Sequence, residues 1–449
     1  MSDELRAAVR DVLPGVRADL EALIRIPSVS ADPAAAGEVL RSAQATAALL
    51  RDAGMPEVEI LDDVEGCAPA VLARYPAPPG APTVLLYAHH DVQPTGDPSG
   101  WTSPPFQPVE RDGRLYGRGS SDDKAGIAAH LAALRAHGGR PPVGVTVFVE
   151  GEEEIGSPTL GAFLERHRDE LAADVIVLAD SDNVELGTPS FTTSLRGMCS
   201  CVVELRALRH GAHSGGFGGV APDALTALCR LLATLHDDVG NVAVDGLLTG
   251  KPFDFDYPED RFRAEAAMLD GVALIGDGSI AERLWTRPSA TVLAIDATPV
   301  ADASNTLAPA ARAKVGLRLA PGDDPDRALA ALRRHLEQHT PWGLHVTVSD
   351  GRTAQSHAID ASGPMFDAAR RAFRAAYGRE VVDIGQGGTI PFIAEFAAAF
   401  PAAAILVTSA GADPECRAHS TDESLPLADF ERACLAEALL LAELASTGS

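Results

Sequence analysis

The chain's 449 residues are too many for one ordinary core, and two domains are expected. Hydrophobic residues make up 46% and charged residues 22%, a globular composition. A formal net charge of −26 repels nucleic acid and anionic membrane alike, so neither is expected as a partner.

The opening MSDELRAAVRDVL carries charges where a signal peptide needs an apolar centre. The apolar runs near 396–408 and 434–445 are broken by Pro401, or by Glu437 and Glu443, short of membrane-spanning length. A cytoplasmic protein is expected. Leu5, Val9, Val12, Leu13, Val16, Leu20, Leu23 and Ile24 recur at helical spacing, predicting a first helix. A second helix is predicted over 37–53, then a strand over 71–75 and a Pro-rich turn over 76–82.

From there the pattern becomes βαβ. TVLLY at 83–87 is a continuous apolar run of strand length, and KAGIAAHLAALRA at 124–136 is an amphipathic helix. A strand over 143–149, a helix over 158–167 and a strand over 173–179 follow. Near the other end come a helix over 364–377, a strand over 402–407 and a helix over 427–445. Apolar strands alternating with helices predict an α/β fold whose mainly parallel sheet is covered on both faces.

The middle has another rhythm. Strands over 198–205, 289–295, 313–319 and 344–348, with helices over 221–235 and 325–339, give the order βαββαβ. That predicts an inserted ferredoxin-like domain at 197–350, between α/β-domain segments 1–196 and 351–449. KPFDFDYPEDRF at 251–262 is expected as a long surface loop. Cys67, Cys199, Cys201, Cys229, Cys416 and Cys434 include no C-x-x-C pair and are read as buried free thiols.

In a parallel sheet, ligands gather beyond the carboxyl ends of strands. His89 and Asp91 follow TVLLY, and Glu153 and Glu154 follow VTVFV. Asp182 follows VIVLA, His419 follows AAAILV after a loop, and Asp122 opens the 124–136 helix. His89 and Asp91, two apart, share a face if extended, and a carboxylate beside an imidazole fixes its tautomer. His89 is therefore read as a ligand and Asp91 as its orienter, with His90 structural. One of Asp122 and Asp123 can equally be a helix cap. The run 152–154 can be a solvated acidic turn, or one glutamate can bind metal while its neighbour takes a proton. Spacing does not separate Asp180 from Asp182. His213 lies in a glycine-rich loop, a setting that also suits a plain turn. A donor set of imidazole and carboxylate suits Zn²⁺, and also accommodates Mn²⁺ or Co²⁺.

YAHHDVQP (87–94), GRGSSDDKAG (117–126), EGEEEIGSP (150–158), HSGGFGG (213–219) and HSTDES (419–424) occur in this order. On these motifs the chain resembles the co-catalytic metallopeptidase family of carnosinase-like dipeptidases, acetylornithine deacetylase and succinyl-diaminopimelate desuccinylase. DVQP and DDKAG resemble its dipeptidase branch. The resemblance implies two divalent metal ions, one on His89 and Asp182 and one on Glu154 and His419, with Asp122 bridging through a cis Asp122–Asp123 peptide. It implies Glu153 as general base, Asp91 as orienter, and His213 as the group that stabilises the tetrahedral intermediate. Arg318 is implied to bind the substrate carboxylate, with Asn305, Thr306, Gly388 and Thr389 lining the pocket. It further implies a homodimer formed through the inserted domain, acting on dipeptides or short peptides with a free C-terminal carboxylate. Ala88, His90 and Gly211 depart from the usual pattern without removing a ligand. The alternatives are an N-acyl-amino-acid deacylase on the same scaffold and a non-catalytic metal- or peptide-binding homologue.

Overall fold

The computed structural model describes residues 2–253, 255–388 and 391–447. The chain forms two compact units. The first comprises Met1–Thr193, Ile359–Ile384 and Pro391–Ser449, and the inserted unit comprises Ser194–Ala358 with Gly385–Ile390. The inserted unit therefore runs past 350 and takes back a short segment after 384.

The sheet of the first unit runs, edge to edge, Glu57–Leu61, Ala70–Tyr75, Gly144–Glu150, Thr83–His89, Val175–Leu178 and Ala404–Val407. The last four strands are parallel, and the first two add antiparallel pairs at one edge. Central parallel strands bury both faces, which is why Gly144–Glu150 is buried from end to end. Glu57–Leu61 was not expected as a strand. It reads EVEIL, and its edge position leaves the charged alternate residues exposed.

Helices Ser2–Ile24, Lys124–Ala136, Pro364–Tyr377 and Leu427–Ala445 contribute Leu20, Leu131, Phe373 and Leu440 to one core with Val84, Leu86 and Val145 of the sheet. Truncating a fully buried member such as Leu86 to Ala is expected to cost about 2–5 kcal/mol. The Asp123 side chain caps Lys124–Ala136 by accepting from Gly126 N at 3.1 Å. Capping by Asp123 leaves the Asp122 carboxylate for other partners.

The inserted unit's sheet runs Ser289–Asp296, Ala310–Leu319, Gly197–Arg206, His345–Ala354, with every pair antiparallel. Together with helices Ala224–Ala233 and Pro325–Gln338, capped by Asp223 and Asp324, this gives the βαββαβ order. Ala311, Ala313, Val315, Leu317 and Leu319 alternate into a core with Leu228 and Leu332. Arg318, between two of these, faces the other side of the sheet.

Two expectations are corrected. The 251–262 stretch does not stay a plain loop. It leads into helix Glu259–Glu265, and the rings of Phe253, Phe255 and Tyr257 pack on Trp285 at 5.0, 5.5 and 6.0 Å. Alternate aromatic residues share one side of an extended segment, but their partner lies outside any local pattern. The six cysteines are all free, yet Cys229 is exposed and Cys67 half-buried.

Candidate metal centre

His89 ends its strand fully buried. Its Nε2 lies 3.1 Å from Asp122 Oδ1 and 3.8 Å from Asp180 Oδ2. Its Nδ1 faces Asp91, 3.1 Å from the carbonyl oxygen and 3.4 Å from Oδ1. The Asp91 carboxylate also accepts from Glu153 N at 3.3 Å and Glu154 N at 3.1 Å. One buried aspartate thus orients the imidazole and fixes the turn that carries both glutamates.

The second Asp122 oxygen, Oδ2, lies 3.0 Å from His419 Nε2, and that nitrogen lies 3.1 Å from Glu154 Oε2. Asp122 therefore sits between two imidazoles, one on each oxygen, and the Asp122–Asp123 peptide is cis. His419 has a φ of 62°, in the left-handed region that histidine enters more readily than β-branched residues. Glu152 turns away and accepts from Ala68 N and from the Thr159 amide and hydroxyl. His90 also points elsewhere, its Nε2 donating to Pro69 O at 2.8 Å.

Asp180 and Asp182 divide differently. Asp180 approaches His89, whereas Asp182 Oδ1 lies 3.7 Å from Cys416 Sγ. Burial pushes both carboxyls up to about 7, and the Asp122 charge adds to each shift. Burial likewise pushes Glu153 up to about 9, with Asp180, Glu154 and Asp122 adding and His89 opposing. Burial opposes charge on His89, yet Asp122 and Asp91 hold its imidazole well above its ordinary value.

Besides Asp91, six carboxylates that raise one another's cost of ionising gather about Asp122, between the buried His89 and the more exposed His419: Asp122, Asp123, Glu153, Glu154, Asp180 and Asp182. Such a cluster is stabilised by cations. Donor atoms of His89, Asp122 and Glu154 lie within 4.8 Å of one another, as do those of His89, Asp123 and Asp180. The donor set and its spacing fit divalent metal.

Two residues that the sequence reading passed over hold this cluster in place. Fully buried Glu423 accepts from Arg118 Nη1 at 2.6 Å and from the amides of Gly119, Ser121 and Asp122 at 3.0, 2.9 and 3.2 Å. Gln93 binds the Glu154 carboxylate through both its amide nitrogens. Both residues lie inside quoted motifs, HSTDES and DVQP, which was the only signal available.

The inserted unit gathers its own group. His213 and Thr306 are ladder partners, and Ser214 N donates to Asn305 O at 2.8 Å. His213 is exposed and its Nδ1 accepts from Gly215 N. Arg318 pairs across its sheet with Ser289 and Met198. The buried Arg196 reaches Ser289 Oγ at 3.3 Å, and its Nη2 would lie 2.9 Å from a Cβ at Gly387, the neighbour of Gly388. Thr389 lies outside the described residues.

A model of peptidase family M20/M25/M40 matches residues 85–443. The cysteinylglycine-S-conjugate dipeptidase of Corynebacterium striatum is 36% identical, over 80% of this chain and 81% of its own length. The β-Ala-His dipeptidase of Homo sapiens is 30% identical, over 73% and 68%. The crystal structure of human carnosine dipeptidase 1 superimposes with a TM-score of 0.79 at 24% identity, covering 99% of each chain, and carries the same fold. The chain belongs to peptidase family M20/M25/M40, on its dipeptidase branch, and is a metallopeptidase.

Proposed function

We propose that this protein hydrolyses the peptide bond of dipeptides with a free C-terminal carboxylate. The substrate proposed first is of the Cys-Gly type, bare or S-substituted, because the relative named for that substrate is 36% identical. In this reading His89, Asp122, Glu154, Asp182 and His419 hold two divalent ions, Zn²⁺ in first place given the nitrogen and oxygen donors. Bound there, the ions supply an activated water and polarise the scissile carbonyl.

The chain's own residues do the rest. Glu153 takes the proton of the attacking water and passes it to the leaving amine. Burial, with the charges of Asp180, Glu154 and Asp122, pushes its carboxyl up to about 9 in the metal-free chain, and bound cations would act against that shift. Asp91 keeps His89 in one tautomer. His213 stabilises the oxyanion, from the same chain or from a second subunit. Arg318 pairs with the substrate carboxylate, and Asn305, Thr306, Gly388 and Thr389 line the pocket.

The observation that carries the two-ion reading is the double engagement of Asp122, one oxygen 3.1 Å from His89 and the other 3.0 Å from His419. A homodimer belongs to the same reading. The Ser289–Asp296 strand exposes Val292, Leu293 and Ile295 at a sheet edge, where a second copy can pair. Cytoplasmic residence is also proposed, supported by six cysteines without a disulfide. The deciding experiment is turnover after chelation and metal add-back. Its panel holds Cys-Gly, S-substituted Cys-Gly, β-Ala-His, and N-acetyl and N-succinyl amino acids. Cleavage confined to the acylated amino acids overturns the dipeptidase proposal.

A further inference from the structure

We infer that Gln93 is a positioning residue that fixes the Glu154 carboxylate and thereby sets cation affinity on the Glu154–His419 side of the centre. The inference rests on the two-ion reading above. Gln93 Nε2 donates to Glu154 Oε2 at 2.8 Å and to the Glu154 carbonyl oxygen at 3.0 Å. Gln93 N donates to Glu154 Oε1 at 3.1 Å. Both hydrogens of the side-chain amide and the backbone N–H are thus spent on one residue. This also settles the amide's orientation, because only the nitrogen can serve two acceptors.

The consequence is geometric. Both oxygens of Glu154 carry a donor from Gln93, and its backbone amide is held by Asp91 Oδ2 at 3.1 Å. The Glu154 side chain is 2% exposed, and these three hydrogen bonds favour one orientation of its carboxylate. Its Oε2 also lies 3.1 Å from His419 Nε2. A ligand locked in this way binds a cation without first losing rotamer entropy.

The centre therefore has two orienting devices on one segment. Asp91 holds His89 in place and Gln93 holds Glu154; residues 89, 91 and 93 alternate along the chain. The chemistry of each device matches its client. An imidazole N–H needs an acceptor, and an aspartate supplies one. A carboxylate needs donors, and the glutamine supplies them without adding charge to the six carboxylates already there. A glutamate at 93 would supply no donor and one more repulsion.

The experiment is a zinc titration of chelator-stripped protein, followed by calorimetry, on wild type, Q93M, Q93L, H419A and the double variant Q93M/H419A. Methionine and leucine approximate the volume of glutamine without its donors. The expected result is that one of two binding steps weakens by about 10- to 100-fold in Q93M and Q93L while the other is unchanged. In the H419A background, where that side is already lost, Q93M should have no further effect on the remaining ion. Dipeptidase activity of Q93M should return when zinc is raised, which a folding defect would not allow. Equal weakening of both steps, no weakening, or a further loss in the double variant overturns the role of Gln93. Wild-type protein that takes up a single zinc ion overturns the two-ion reading, and the inference falls with it.

Discussion

The Glu423 carboxylate accepts a hydrogen bond from the Asp122 backbone amide at 3.2 Å, although 301 positions separate the two residues. The same carboxylate holds Arg118, Gly119 and Ser121, so the loop that presents Asp122 is pinned to the segment that presents His419. Glu423→Ala strips several donors of their acceptor and leaves the buried Arg118 guanidinium without its carboxylate. Breaking one side of such a pair costs about 3–5 kcal/mol. Chemical denaturation of E423A should show a loss of that order. E423Q should keep part of it, because one oxygen can still accept.

Glu153→Ala should lower kcat by about 10²- to 10⁴-fold, the range supplied by a positioned general base, while two metal ions stay bound. Neither Asp122 nor His419 contacts Glu153 through a hydrogen bond among the described residues, so its loss need not disturb them. Steady-state rates alongside metal analysis of the same preparation check both halves. Loss of metal from E153A would reassign it as a ligand.

Much of this could be read from the residues, for identifiable reasons. TVLLY, VTVFV and VIVLA are almost wholly apolar because parallel strands are covered on both faces, and each is followed by a cluster residue. Local rules left open that one aspartate of the 122–123 pair caps a helix, and Asp123 does so. What stayed hidden depends on long-range pairing. Glu57–Leu61 forms an edge strand only because Ala70–Tyr75 offers it a partner. Glu423 and Gln93 are ordinary polar residues until their acceptors and donors arrive from 301 and 61 positions away. The packing of Phe253, Phe255 and Tyr257 on Trp285 was hidden for the same reason.

Asp182 and Asp180 should separate on mutation to asparagine. The half-buried Asp182 carboxylate lies beside the Cys416 thiol, a weak donor at 3.7 Å. So poorly compensated a charge is stabilised by a cation. Asp182→Asn should reduce bound metal from two ions to one. Asp180→Asn should keep both and change the pH profile instead. Elemental analysis of the purified variants decides, and the reverse pattern would make Asp180 the ligand.

Arg318→Met should raise KM for dipeptides by about 10- to 100-fold, as expected for the loss of a charge-assisted hydrogen bond of about 1.5–3 kcal/mol. The effect should vanish on dipeptide amides, which lack the carboxylate. A kcat loss with unchanged KM, equal for acids and amides, would remove Arg318 from substrate recognition.

Chelation should make stability depend on pH in a stated direction. Asp180 and Asp182 titrate at about 7 in the folded, metal-free chain, against 3.8 as ordinary aspartates. The folded state therefore holds more protons than the unfolded state between those values. Each raised carboxyl contributes its full stabilisation below pH 3.8, and that contribution is lost as pH rises through about 7. Between pH 6 and pH 8, chelator-stripped protein should lose a few degrees of melting temperature. Zinc-loaded protein should lose less, because the cations take over the neutralising role of the protons. D182N should flatten the metal-free profile by removing one raised carboxyl, leaving Asp180, Glu150 and Glu153 to titrate. Thermal unfolding at the two pH values, with and without zinc, measures each slope. A metal-free protein that gains stability over this interval would show that the two carboxyls are not crowded in the way described.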